Sequence, residues 1–263
     1  MGGFTWSNIF TPILHLFLPK PSAEIQAIQE ADHTYIRGHE SKRSPCPFLN
    51  SLANQNYLPR DGRNITRAKL KAALIAAGNS TPLFAEVLTS IVKPVTRKDG
   101  TFTLVDLRRH NAIEHDASFT RLGFRQGNNY TFQPAMFQAM LVDAHGGPIT
   151  PESIARTRVR RDKEEKLAGH GAGVTFWRNP SLWITMWSQT CILLQTFGRR
   201  ISVEDITVFY EEESLPEWWL KDASMGKRRM TFLGQLRDIA DVFWRHLFVK
   251  VSEAELMNQL KGW

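Results

Sequence analysis

Apolar residues recur at three- and four-residue intervals along most of this chain, and no stretch sustains the alternation of a half-buried strand. The clearest case is 67–77, apolar at Leu70, Ala73, Leu74 and Ala77, with Thr66 placed to cap its start and Gly78 to stop it. The same spacing predicts helices over 22–31 behind Ser22, over 48–55, and over 81–92 with Pro82 in the first turn. Most of 104–122 reads as helix, apolar at Leu104, Leu107, Ile113 and Ala117; 133–143 follows, then 150–167 with Thr150 as cap and Pro151 behind it. The span 179–197 is nearly all apolar between Asn179, Pro180 and Gly198, which reads as a central buried helix. Helices over 202–212, 227–248 and 252–261 complete the pattern, with at most a short strand at 102–104 after the Asp99-Gly100 turn. An all-α chain, folded as one compact domain over 1–263 with little or no sheet, is the expectation.

Composition agrees with that size of core. At 263 residues and 42% apolar content the chain can bury a substantial interior as one domain. Eight tryptophans and sixteen phenylalanines suit a large apolar cavity as well as an ordinary core. The net charge of +7 raises nucleic acid as a partner, but the basic residues are interleaved with acids, as in RTRVRRDKEEK at 156–166. That run reads as a solvated helix face, and with no nucleic-acid module present no nucleic-acid partner is expected. GHGAG at 169–173 lacks the Lys-Ser/Thr of a phosphate-binding loop and reads as a flexible connection. Residues 1–21 are apolar but lack a basic leader and a small-residue cleavage site, so they make a poor signal peptide. Interrupted by Pro12, they are suited to packing or weak membrane association rather than to spanning a bilayer. Sequons at Asn64, Asn79 and Asn129 leave both secreted and intracellular locations open.

Two stretches carry chemistry. Cys46 sits between Pro45 and Pro47, just ahead of a helix whose positive end favours a thiolate. The rival reading is a small buried hydrophobe. Behind it LPRDG is a turn, Pro59 presetting its φ and Gly62 free to take a positive one. The second stretch is Glu114-His115-Asp116-Ala117-Ser118. On a helix Glu114 and Ser118 share a face and can hold Mg²⁺ if an anion and waters complete the octahedron. His115 then points about 100° away, with Asp116 near enough to orient its ring. The rival here is a solvated acidic turn.

SPCP, LNSLAN and YLPRDG follow one another in register within 43–65, with Gln55-Asn56 where His-Gly is usual. In this order they resemble the signature of the fungal haem-thiolate peroxidases, the chloroperoxidase and unspecific peroxygenase family. LVDLRRHNAIEHDAS at 104–118 is a second close match. The resemblance covers roughly 43–219, leaving 220–263 as a C-terminal helical extension that packs on the domain. It implies haem b with Cys46 as the axial thiolate, His115 as a distal base oriented by Asp116, and Mg²⁺ held by Glu114 and Ser118 beside a haem propionate. Hydrogen peroxide and a small organic substrate, oxygenated or halogenated in secondary metabolism, would be the reactants. With Cys46 on iron no disulfide to Cys191 is expected, and Cys191 reads as core. The family's distal glutamate aligns with Gln189, which can position a peroxide by hydrogen bonds but cannot carry its proton. Either His115 and Asp116 do all the proton work, or the pocket serves a specialised biosynthetic step or a carrier or sensor role. Glu211, Glu212 and Glu213, in VFYEEESLPEWW, read as structural.

Overall fold

A computed structural model describes residues 22–77, 79–112, 114–168, 180–227 and 230–252, with backbone alone at 180–182 and 184. The Gly78 stop, Ile113, the segment 1–21, the GHGAG loop, the Asn179 cap and all but the start of helix 252–261 lie outside the described residues.

Caps and prolines begin the helices where local chemistry predicts. Helix α1, Ala23–Gln29, starts on Ser22, whose Oγ accepts the Ile25 amide at 3.3 Å. Helix α2, Pro47–Asn54, has Cys46 as its N-cap residue and Pro47 in its first turn. Strand β1, Ile65–Thr66, leads into α3, Arg67–Ala76, where Thr66 Oγ1 accepts the Lys69 amide at 3.1 Å. Helix α4 is Pro82–Ser90. Strand β2, Thr101–Phe102, pairs antiparallel with β1, Ile65 opposite Phe102, and these two form the only sheet among the described residues. Helices α5, Pro134–Asp143, and α6, Pro151–Leu167, follow, the latter opened by reciprocal bonds between Thr150 and Ser153. Then come α7, Pro180–Phe197, α8, Val203–Thr207, α9, Glu217–Ser224, and α10, Phe232–Phe248. The mainly helical expectation holds. The strand falls one residue before the predicted 102–104, and α10 starts at its Thr231 cap rather than at 227.

Three expectations are corrected. Most of 104–122 is not α-helix: a 3₁₀ turn, Leu104–Arg108, gives way to loop, because Asn111 and Ala117 take φ of 60° and 62°. The run 202–212 splits into α8 and a π turn, Val208–Glu212, ended by Glu213 in the left-handed region. And 156–166 is no solvated face. Arg158, Arg160, Arg161, Glu164 and Glu165 are all buried, because α5 and α10 pack on α6. Arg160 pairs with Asp143 at 2.9 Å and Glu164 at 2.8 Å; Arg161 pairs with Glu164 and with Glu165 at 2.6 Å. Such partners offset the cost of taking these ions out of water.

The described part of the extension packs as expected. Across α7, Gln235 donates to Ser188 at 2.7 Å and Trp187 meets the Phe243 ring at 5.3 Å; Asp238 pairs with Arg199 at 2.7 Å. One apolar cluster runs from Leu52 and Leu58 through Leu70 and Phe102 to Phe197, Tyr210 and Trp219. No helix among the described residues is long and apolar enough to cross a membrane. Of the sequon asparagines, Asn64 is exposed while Asn79 and Asn129 are buried, where a glycan has no room.

Candidate functional site

The loop bearing Cys46 is held by amide side chains on one face of α2. Asn50 Oδ1 accepts from the Ser44 amide at 2.8 Å and the Ser44 hydroxyl at 2.9 Å, while its Nδ2 donates back to the Ser44 carbonyl at 2.9 Å. One turn on, Asn54 Oδ1 accepts from Arg43 Nε at 2.9 Å and its Nδ2 donates to the Glu213 carbonyl at 3.0 Å. Gln55 exchanges two 3.1 Å bonds with the Leu215 backbone, so the residue that departs from the usual signature still carries a structural bond pair. At the turn behind, Gly62 has φ 66° and a Cβ there would sit 2.7 Å from the Lys42 carbonyl, so glycine is required.

Glu213 closes the frame. Its Oε1 accepts from Asn50 Nδ2 at 2.7 Å and from Arg121 at 3.0 Å, joining α2 to the stretch after Ser118. Its structural reading fits this geometry, and Arg121 and Asn50 are the supports that sequence reasoning missed. The Cys46 thiol is free and only half-buried, yet the protein around it pushes its pKa up; the Leu49 and Phe48 amides and Arg121 pull it down.

On the other stretch the loop, not a helix, arranges the groups. His115 is buried, and its Nδ1 lies 2.8 Å from the Asp116 carbonyl. A carbonyl only accepts, so Nδ1 carries the proton and Nε2 is left as the basic nitrogen. Burial, helped by the charge of Arg158, lowers the imidazole pKa to about 4, so the ring is neutral near pH 7. The expected orientation by the Asp116 side chain is corrected: that carboxylate accepts the Phe124 amide at 2.7 Å, because the positive φ of Ala117 turns the chain there. Glu114 and Ser118 do not share a helix turn either; Ser118 Oγ donates to the His115 carbonyl at 3.2 Å. Glu114 Oε2 bonds His110 at 2.7 Å, while its Oε1 is buried with the Asn129 side chain beside it. Burial pushes this carboxyl's pKa up and His110 opposes the rise. His110, Glu114 and Asp116 offer ligand atoms within 4.8 Å of one another, a grouping made by the loop, in which His110 is a residue that sequence reasoning missed.

Gln189 and Cys191 lie on α7. Trp187, Ser188 and Gln195 turn toward α10, which puts Gln189 on the far side of the helix, its Oε1 buried and unpartnered. Among the described residues no hydrogen bond joins it to His115. Cys191 is fully buried and its thiol pKa is driven up by burial, in keeping with a core residue.

The chain is thus mainly helical, with a proline-framed cysteine at a helix start and a buried, neutral histidine next in sequence to a buried carboxyl. The family described as "Peroxidase, family 2" matches residues 33–224, and the chain belongs to that family. It is 35% identical over 119 residues to a chloroperoxidase of Leptoxyphium fumago, covering 40% of this chain and 32% of the relative. It is 25% identical over 238 residues to an aromatic peroxygenase of Coprinellus radians, covering 79% of this chain and 88% of the relative. A dothistromin biosynthesis peroxidase of Dothistroma septosporum is 35% identical over 131 residues, 42% of this chain and 31% of the relative. The chain thus spans about a third of the length of the first and third of these.

Proposed function

We propose that this chain is a single-domain haem-thiolate peroxidase or peroxygenase that uses hydrogen peroxide to oxygenate or halogenate a small organic substrate. The observation that carries the reading is Cys46 at the start of α2, half-accessible within a frame of buried hydrogen bonds, in a chain of peroxidase family 2. The residues fit haem b: Cys46, free and half-accessible, would hold its iron, and no disulfide competes for the sulfur. A Mg²⁺ ion would draw on the buried Glu114 carboxylate, with Asp116 close by, and on Ser118, whose hydroxyl oxygen keeps its lone pairs free while its proton goes to the His115 carbonyl. When bound, haem supplies redox-active iron, and the Cys46 thiolate adds the electron density that favours O–O cleavage.

The chain's own part is proton handling. His115 accepts the peroxide proton at Nε2 and returns it to the departing oxygen, while the Asp116 carbonyl keeps the ring in the tautomer that leaves Nε2 basic. An imidazole with so low a pKa is a weak base but, once protonated, a strong acid toward the leaving group. Gln189 contributes hydrogen bonds that position peroxide or substrate, without a proton of its own to give. The similarity to the dothistromin biosynthesis peroxidase supports a setting in secondary metabolism.

The test is the spectrum of the reduced, carbon monoxide-bound protein, followed by peroxide turnover. A Soret band of the thiolate-ligated type is expected, lost in Cys46→Ser. His115→Gln should keep the band and lower turnover by about 10²–10⁴-fold, while Gln189→Glu should raise it. A protein that takes up no haem overturns the reading.

A further inference from the structure

Helix α6 carries three buried arginines, and two have counter-charges: Arg160 holds Asp143 and Glu164, and Arg161 holds Glu164 and Glu165. Arg158 has none. It is 0% exposed, its guanidinium lies 4.5 Å from the centre of the Phe119 ring, and among the described residues Nε and both terminal nitrogens have no hydrogen-bond partner. Asp162, one turn further on, is within electrostatic reach but makes no ion pair with it, and its carboxylate instead lies 3.3 Å from His246. Even so buried, the guanidinium keeps a pKa of about 10 and remains a cation near neutrality. A fully desolvated, unpaired cation is costly to fold, and an anion brought by a ligand would offset that cost.

Its position says which ligand. Phe119 directly follows Ser118, and the charge of Arg158 is felt by both the His115 imidazole and the Tyr210 phenol; that phenol also lies in the field of Cys46. Arg158 therefore lies close to both chemically armed stretches. We propose that Arg158 is a carboxylate-binding residue of this interior site, its planar fork receiving the carboxylate of a bound ligand in bidentate fashion above the Phe119 ring. One guanidinium with an acid already in range suits a monoanion rather than a phosphate, and the fork matches carboxylate geometry. Two sources share this chemistry: a propionate of the cofactor, which rests on the haem reading above, or an acid group on an aromatic substrate.

Haem-loaded protein, wild type against Arg158→Leu and Arg158→Lys, separates them. Haem loss to apomyoglobin and binding of benzoate or benzamide, read from the Soret band, are measured, with far-UV circular dichroism confirming the fold. A cofactor carboxylate predicts at least tenfold faster haem loss in Arg158→Leu, partly restored in Arg158→Lys, with the difference vanishing for haem dimethyl ester. A substrate carboxylate predicts unchanged haem loss and at least tenfold weaker benzoate binding, with benzamide unaffected. Equal haem loss and equal benzoate binding in the Leu variant overturn the proposal. Should Arg158→Leu not fold, Arg158→Lys decides on the same readouts, weaker binding supporting the site and unchanged binding refuting it. If the wild type holds no haem, the functional reading fails by itself. Calorimetric titration of benzoate into the full chain then decides Arg158 alone, no binding counting against it.

Discussion

Replacing Glu213 with alanine removes the counter-charge of Arg121 and one acceptor of Asn50 in a single step. Arg121 would keep neutral acceptors, the Tyr130 carbonyl at 3.0 Å and Thr120 Oγ1 at 2.9 Å, but its cation would stay buried with no carboxylate. Breaking a buried pair from one side costs about 3–5 kcal/mol, and the neutral acceptors place this case near the lower end, about 3 kcal/mol. For a chain of this length that is a loss of about 6–12 °C in Tm. Glu213→Gln keeps an oxygen in the same place and should lose about half as much, since charge alone is removed. Urea titrations at pH 7, supported by calorimetry, measure both. The Cys46 loop should loosen with the frame, because Asn50 connects Glu213 to Ser44. An alanine variant that unfolds within about 1 kcal/mol of wild type, inside the range of an ordinary surface change, would refute the claim that this ion pair supports α2.

Two further outcomes are expected. The folded-state pKa of His115 is lowered to about 4, so between about pH 6.5 and 4 the unfolded chain binds the extra proton and stability falls as pH falls. The full effect is about 3 kcal/mol, and urea titrations at pH 7 and 4.5 should show the wild type losing about 2–3 kcal/mol more than His115→Gln. Glu114→Ala should lower Mg²⁺ content, read by elemental analysis, along with haem retention; unchanged Mg²⁺ would remove Glu114 from that role.

Much of this protein was legible from neighbours within a turn of one another. Ser22, Thr66 and Thr150 begin helices because a side-chain oxygen meets an amide three residues on, and Pro47, Pro82 and Pro151 sit where a missing amide costs nothing. The Cys46 loop and its turn could be read in the same way, since prolines and Gly62 act on their own backbone. The stretch 104–122 misled because apolar spacing suggested a helix, whereas the positive φ of Asn111 and Ala117 is settled by what the loop must bury and bond. That choice puts the Asp116 carbonyl, not its carboxylate, on His115. The charged run on α6 is the sharpest case. Its composition belongs to a solvated face, yet Arg160 finds Asp143 seventeen residues away and Arg161 finds the Ser118 carbonyl forty-three away. Capping and turn chemistry are complete within four residues and so belong to the sequence. Whether a charge is solvated, paired or left waiting for a ligand, as with Arg158, depends on which distant groups packing brings beside it, and only the tertiary structure decides that.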